Sequence, residues 1–316
     1  MKIDGHLDLF SGIGGFSLGL QQAGIEPDWI GFSDIDKYAN KIFKRRFPNA
    51  KELGSITDIQ PKNLPKINLI TFGFPCQDLS MSGKRKGLKG GRSSLFFEAI
   101  KIIQYTKPKY FIFENVKGLF SSNEGKDFEI ILRTISDIGY DGQWQLLNTR
   151  WFLPQNRERV YFVGHIRGEC RPQVFPIGED EKFFNRQIGE EGGKSTSLQN
   201  RYTRTITSRI HKMGNDDTYI KVHTAHPRSG DPSKGGTGPL SKKDGTTYCL
   251  DTGNAQAVEI KSNIRRLTPT ECERLQGFPD DWTEGCSDTQ RYKQLGNAVS
   301  VPVVRAIMEK LYMENK

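Results

Sequence analysis

Four residues place reactive or strongly interacting groups at the ends of apolar runs: Cys76, Glu114, Arg157 and Arg159. Cys76 lies in GFPCQDLS (73–80), which follows INLITF without a break. That run reads as a buried strand, and Pro75, unable to donate to a central ladder, ends or bends it just before the thiol. Glu114 sits inside YFIFENV (110–116), where a carboxylate is costly unless it is paired or reaches the strand's end. Arg157 and Arg159 in QNRERVYF (155–162) share a face as alternate residues of an extended segment. Singly, each has an ordinary reading: a thiol filling the core, a glutamate anchoring a loop, arginines as surface charge. Converging at strand ends of one sheet, they fit a defined chemistry. A thiolate can add to the electron-poor carbon 6 of a pyrimidine, making carbon 5 a nucleophile toward a methyl sulfonium. A protonated carboxyl can bond ring nitrogen 3 and the exocyclic amine, and a guanidinium can hold the carbonyl oxygen.

A second constellation precedes these residues. DLFSGIGGFSLG (8–19) runs strand, glycine turn, helix, with Ser17 in the third position of what would otherwise be G-x-G-x-x-G. Alone, such a turn is only a tight connection. FSDID (32–36) adds Asp34 and Asp36 at the end of the next predicted strand, where a carboxylate can bond ribose hydroxyls. Phe10-x-Gly12-x-Gly14 is typical of S-adenosylmethionine sites, which have no pyrophosphate to cradle.

The elements that must position these groups alternate along the first 166 residues. Predicted strands are HLDLF (6–10), WIGFS (29–33), INLITFGF (67–74), YFIFENV (110–116), WQLLNT (144–149) and VYFVGHI (160–166). Amphipathic stretches lie between them: GGFSLGLQQAG, DKYANKIFKRRF, SSLFFEAIKIIQY and DFEIILRTISDIG. That order implies βαβ units and a mostly parallel sheet, an α/β fold. From about 167 to 263 the chain becomes rich in Gly, Ser, Pro and Lys, interrupted by TYIKVHTA, TYCLDTG and AVEI. These pieces predict a smaller, loop-rich, β-containing domain. Helices are expected again at TPTECERLQGF (268–278), with Thr268, Pro269 and Glu271 as its start, and at VSVPVVRAIMEKLYME (299–314).

The 316 residues carry a net charge of +9, a sequence pI near 9.2 and a mean hydropathy of -0.59. This balance fits a polyanionic partner and equally a solvated lysine-rich surface. No apolar stretch reaches membrane-spanning length, and no secretory leader is visible at the N-terminus. Five scattered cysteines (Cys76, Cys170, Cys249, Cys272, Cys286) fit neither a disulfide framework nor a zinc site. Free thiols in a reducing, cytoplasmic setting are expected, with no metal.

The motifs in their order resemble the DNA (cytosine-5)-methyltransferases of bacteria and phages over nearly the whole chain. DLFSGIGGFSLG resembles that family's first motif, GFPCQDLS its nucleophile motif, ENV its acid motif and QNRERVYFVG its arginine motif. RRLTPTECERLQGFPDDW resembles its ninth motif and QLGNAVSVPVV its tenth. The resemblance implies an S-adenosylmethionine-dependent Rossmann-like domain, 1–166 plus 284–316. It implies a target-recognition domain over 167–283 that includes the ninth motif. Cys76 then matches the nucleophile, Glu114 the acid on the target cytosine, and Arg159 the arginine holding that base, with Arg157 its companion. Phe10, Gly12, Ile13, Gly14, Gly15, Asp34, Ile35, Ile56, Pro75, Leu95, Asn297 and Val299 match cofactor-pocket positions. SMSGKRKGLKGGRSS (80–94) resembles the loop that closes over DNA, so Gln77, Ser80, Ser82, Lys84, Arg85 and Arg92 are its expected contacts.

Some positions depart from the family pattern: Ser55 stands where an acid is frequent, with Asp58 three residues on, Asp34 replaces a common Glu, and Ile35 an aromatic residue. Cys249 in TYCLDTG takes the place of the threonine of a threonine-leucine element. The implied partner is double-stranded DNA, bound by a monomer that flips a cytosine toward Cys76. The resemblance implies either a restriction-modification methylase, with a cognate restriction endonuclease acting separately as a further partner, or an orphan phage-type enzyme without one. Two other readings are a tRNA cytosine methyltransferase, from one branch of the same family, and a DNA-binding protein without catalysis. Intact Cys76, Glu114 and Arg159 favour the catalytic DNA enzyme.

Overall fold

Seven strands form the main sheet: β1 (Gly5–Leu9), β2 (Trp29–Ser33), β3 (Lys51–Glu52), β4 (Leu69–Phe72), β5 (Tyr110–Val116), β6 (Tyr140–Asn148) and β7 (Glu158–Ile166). They belong to a computed structural model that describes residues 3–75, 94–169, 172–178, 221–224, 241–242, 246–253, 256–260 and 263–313. The strands lie in the order β3-β2-β1-β4-β5-β7-β6. Pairings from β3 through to β5 are parallel, whereas β7 runs antiparallel to β5. The expected α/β architecture is therefore present, and an antiparallel pairing falls beside the strand that carries Glu114.

Between the strands run α1 (Gly15–Gln22), α2 (Lys37–Arg46), α3 (Ser94–Thr106) and α4 (Lys126–Asp137). β1 and β4 are buried along their whole lengths, as expected for strands of a parallel sheet covered on both faces. Much of the core is aromatic. Phe162 stacks on Phe113 with ring centroids 4.9 Å apart, and Phe72, Phe74 and Phe96 pack around Phe113 and one another. Such pairs are worth about 0.5–1.5 kcal/mol each beyond the area they bury. They stiffen the sheet just where β4 and β5 end.

Among the described residues, the remaining helices are α5 (Pro269–Gln276), α6 (Asp288–Asn297) and α7 (Val301–Met313), and the remaining strands β8 (Lys221–Thr224), β9 (Ser241–Lys242), β10 (Gln256–Ile260) and β11 (Asn263–Arg266). α5 begins as its sequence predicts: Thr268 and Glu271 form a reciprocal capping box, Pro269 takes the first turn, and Gly277 ends the helix at φ 81°. β8 to β11 form a small antiparallel sheet in the order β11-β10-β8-β9. The predicted β-containing domain is thus present.

The chain clusters into two compact units. One comprises Met1–Leu147, Glu158–Ile177 and Val299–Lys316; the other comprises Asn148–Arg157 and Gly178–Ala298. These ends differ from the sequence-based boundaries at 166 and 284. The segment 148–157 packs in the second unit because Thr247 donates to the Pro154 carbonyl and Gln155 bonds both Leu250 and Leu275.

α7 packs on α1 at Gly19, where an added Cβ would lie 2.7 Å from the Val304 Cβ and 3.2 Å from the Arg305 nitrogen. Gly19→Val should cost about 1–3 kcal/mol through overpacking. Urea unfolding checks this: the midpoint should fall while the slope stays constant.

Candidate active site

The glycine turn is built by backbone conformation. β1 ends at Leu9, and Phe10, Gly12 and Gly14 then adopt φ values of 51°, 52° and 85°. At Gly14 the left-handed backbone coincides with a crowded position, since an added Cβ would meet the Phe47 ring at 2.7 Å. At Gly12 an added Cβ would meet no described atom within 4 Å. Asp34, just past β2, fixes the turn from the side. One carboxylate oxygen accepts the Gly12 N–H at 2.8 Å and the other the Asp36 N–H at 2.8 Å. Burial raises the Asp34 pKa above its ordinary value, while these N–H bonds pull the other way. Asp36 instead caps α2 by accepting from Tyr38 and Ala39.

The other cofactor-pocket candidates of the first unit have distinct environments. Ile35 is 85 % exposed, an apolar side chain in water beside Asp34, while Ile56 and Val299 are buried. Ile13, Gly14 and Gly15 are buried in the turn and the first residue of α1, and Pro75 is half-buried. Leu95, at the start of α3, packs on the main core. Ser55 caps a short 3-10 turn over Ile56–Asp58. The residues present fit an adenosine-type cofactor: a left-handed glycine turn with no described atom close to Gly12, a carboxylate held at its edge, and an exposed aliphatic side chain next to that carboxylate.

The second constellation lies where β4 and β5 end. Phe72 pairs with Phe113, so Gly73, Phe74 and Pro75 leave the sheet alongside Glu114 and Asn115. Asn115 Nδ2 donates to the Phe74 carbonyl at 3.4 Å, holding the chain one residue before Pro75. A Cβ on Gly73 would stand 3.7 Å from Glu114 Oε2, so the glycine leaves that carboxyl room. From the other side, Glu114 pairs with Tyr161 on β7 and Val116 with Arg159. Arg159 is thus a diagonal neighbour of Glu114 on the same face, and its Nε lies 3.1 Å from Glu114 Oε1. Both side chains are largely buried. Cys76, Gln77, Ser80, Ser82, Lys84, Arg85 and Arg92 lie outside the described residues.

Arg157 and Asn297 belong to the second unit. Asn297, the last residue of α6, is exposed. Arg157 is buried, and its guanidinium donates to the Ala298 carbonyl at 2.8 Å, the Gly296 carbonyl at 3.2 Å and the Cys249 sulfur at 3.3 Å. Although Arg157 and Arg159 are two residues apart, their described bonds go to different groups.

A family model, C-5 cytosine-specific DNA methylase, matches residues 5–313. The chain belongs to that family. It is 35 % identical to the type II methyltransferase M1.ScrFI of Lactococcus lactis subsp. cremoris, covering 96 % of this chain and 77 % of that protein. It is 33 % identical to M.Bsp6I of a Bacillus species, over 96 % and 97 % of the respective chains. Among solved structures, S. pombe Dnmt2 methyltransferase aligns with a TM-score of 0.68 at 18 % identity, over 100 % of this chain and 99 % of that one, which shows a shared fold. The chain is a DNA (cytosine-5-)-methyltransferase.

In this methylase, one buried polar chain behind the glycine turn was not singled out from sequence. Asp8 accepts from Ser17 at 2.8 Å and from Thr71 at 3.1 Å, and the Thr71 hydroxyl bonds His6 Nε2 at 2.8 Å. The four side chains are buried in and between β1, β4 and α1. The available signal was a carboxylate inside the apolar strand HLDLF, with hydroxyls placed nearby at Ser17 and in the next buried strand. Burial raises the Asp8 carboxyl from 3.8 to about 7, despite the hydroxyl bonds. Burial lowers His6 to about 3, so the imidazole stays neutral over that window.

The linkage has a definite sign. The folded methylase holds a proton on Asp8 that the unfolded chain releases between pH 3.8 and about 7, so the contribution of Asp8 to stability falls as pH rises through that window. Asp8→Asn removes the titration, and the difference in unfolding free energy between variant and wild type should shift in the variant's favour from pH 4 to pH 7. Urea denaturation across that range checks it; a pH-independent difference contradicts the assignment.

Proposed function

We propose that this methylase uses S-adenosylmethionine to methylate carbon 5 of a cytosine flipped out of a specific duplex DNA sequence, with Cys76 bonded transiently to carbon 6. The observation that carries the reading is the Glu114–Arg159 pair, a carboxyl and a guanidinium 3.1 Å apart beside the chain that leads to Pro75. Together they offer a donor for nitrogen 3, an acceptor for the exocyclic amine and donors for the carbonyl oxygen, which are the groups on the pairing edge of cytosine.

The Cys76 thiolate adds to carbon 6 while Glu114 gives its proton to nitrogen 3, leaving carbon 5 electron-rich. Arg159 holds the carbonyl oxygen and keeps the ring in register with Glu114. Phe10, Gly12, Ile13, Gly14, Gly15, Asp34, Ile35, Ile56, Pro75, Leu95, Asn297 and Val299 would hold S-adenosylmethionine, whose sulfonium supplies the methyl group. Loss of the carbon 5 proton to a base such as water then expels the thiolate, and return of the nitrogen 3 proton to Glu114 restores the neutral aromatic ring. The loop 80–94, with Ser80, Ser82, Lys84, Arg85 and Arg92, and Gln77 beside it, would contact the DNA around the extruded base. Recognition of base edges is assigned to the segment 167–283, and the catalytic machinery to 1–166 plus 284–316. The net charge of +9 suits a polyanionic substrate. A monomer in the cytoplasm, paired in its host with a separately acting restriction endonuclease, completes the proposal.

Duplex DNA carrying 5-fluorocytosine should form a covalent, cofactor-dependent adduct with the wild-type chain, and Cys76→Ala should abolish it. Glu114→Gln should keep DNA binding and lower the methylation rate about 10²–10⁴-fold, as expected for loss of a positioned acid. Trapping of RNA alone would transfer the reaction to a tRNA substrate. Bisulfite sequencing of a methylation-free host expressing the chain gives the recognition sequence; soluble protein without 5-methylcytosine above background overturns the proposal.

A further inference from the structure

The residues before α7 form a junction of buried side-chain hydrogen bonds to backbone carbonyls. Two side chains converge on the turn that closes α6. Gln276 Nε2 donates to the Leu295 carbonyl at 2.8 Å and the Ala298 carbonyl at 3.3 Å. Arg157 donates to Gly296 and Ala298 on either side of Asn297, and its third described acceptor is the Cys249 sulfur. The backbone after Cys249 reaches the same turn: a Cβ on Gly296 would lie 2.6 Å from the Asp251 carbonyl oxygen and 2.7 Å from the Thr252 nitrogen. Arg157 is itself fixed from behind, since its N–H donates to Asn148 Oδ1 at 3.1 Å and its carbonyl accepts from the Thr149 N–H at 2.9 Å.

A planar guanidinium suits this place better than any other cation. It presents several donors in one rigid fork, so it can satisfy two carbonyls and a sulfur at once, and it does so here with the side chain buried. A guanidinium committed in this way sets the path of the backbone it binds. That backbone carries Asn297 and continues along the chain into α7.

We infer that Arg157 is a positioning residue for the cofactor side of the reaction, holding the Gly296–Ala298 turn and with it Asn297, and that contact with the target base falls to Arg159. Cys249 is part of the same device: its sulfur is an acceptor for the guanidinium where a threonine hydroxyl is usual. The inference rests on the proposed function, because it assigns Asn297 to the cofactor.

The test separates the two roles by measuring cofactor affinity and base capture independently. Arg157→Lys keeps the charge but loses the fork. The dissociation constant of S-adenosylmethionine, measured calorimetrically without DNA, should rise about tenfold or more, the scale of one lost charge-assisted bond. At saturating cofactor, covalent capture of 5-fluorocytosine duplex should remain at the wild-type level. Capture lost at saturating cofactor, with cofactor affinity unchanged, would make Arg157 a base contact and overturn the inference; so would a variant equal to wild type in both. Should Arg157→Lys not fold, Cys249→Ala serves instead. It should weaken cofactor binding by a smaller factor, with Cys249→Ser restoring it, and an unchanged dissociation constant overturns the inference. A wild-type chain that neither binds S-adenosylmethionine nor captures DNA overturns the catalytic proposal, and this inference falls with it.

Discussion

The direction of one strand decides whether the site exists. Glu114 lies near the carboxyl end of β5, while Arg159 is the second residue of β7. Were β7 parallel to β5, its first residues would align with the opposite end of a seven-residue strand, roughly 20 Å away at about 3.3 Å per residue. Because β7 is antiparallel, Val116 meets Arg159 in register, and the guanidinium falls against the carboxyl. On the other side, the parallel pairing of β4 brings its own carboxyl end, and the chain toward Pro75, to the same edge of the sheet.

Keeping ionisable groups at that edge requires a frame that tolerates little movement. The stacked rings of Phe113 and Phe162 and the bond from Asn115 to the Phe74 carbonyl provide it. Interiors packed in this way transmit small displacements instead of absorbing them. The glycine turn is secured by different means: backbone in left-handed conformations, and the Asp34 carboxylate spanning the N–H groups of Gly12 and Asp36. Its shorter side chain, in a place where glutamate is common, is already engaged with the backbone. Each of its oxygens keeps lone-pair capacity for a ribose hydroxyl.

In the second unit, buried polar side chains bond backbone groups of segments distant in sequence. Gln155 accepts from the Leu250 N–H and donates to the Leu275 carbonyl, Gln276 holds the end of α6, and Arg157 bonds three acceptors. Segments without regular structure leave backbone groups that must find partners once buried, and long polar side chains supply them. The arginine motif and the ninth motif therefore carry structural duties alongside any role in catalysis.

Local sequence determined the elements with good fidelity. WIGFS and YFIFENV are strands over the residues expected, and Thr268, Pro269 and Glu271 start α5. These features depend on periodicity, turn residues and caps, which act over a few neighbours. The same holds for the order of motifs, from DLFSGIGG to QLGNAV, that identifies the family. What the sequence left open was set by partners far along the chain. The antiparallel entry of β7 was hidden because an apolar run looks the same in either direction. Asp8 finds Thr71 sixty-three residues away, and Arg157 finds the Ala298 carbonyl at a separation of 141. A backbone carbonyl has no sequence signature, so only the folded chain could show that two arginines of one motif, two residues apart, bond different groups.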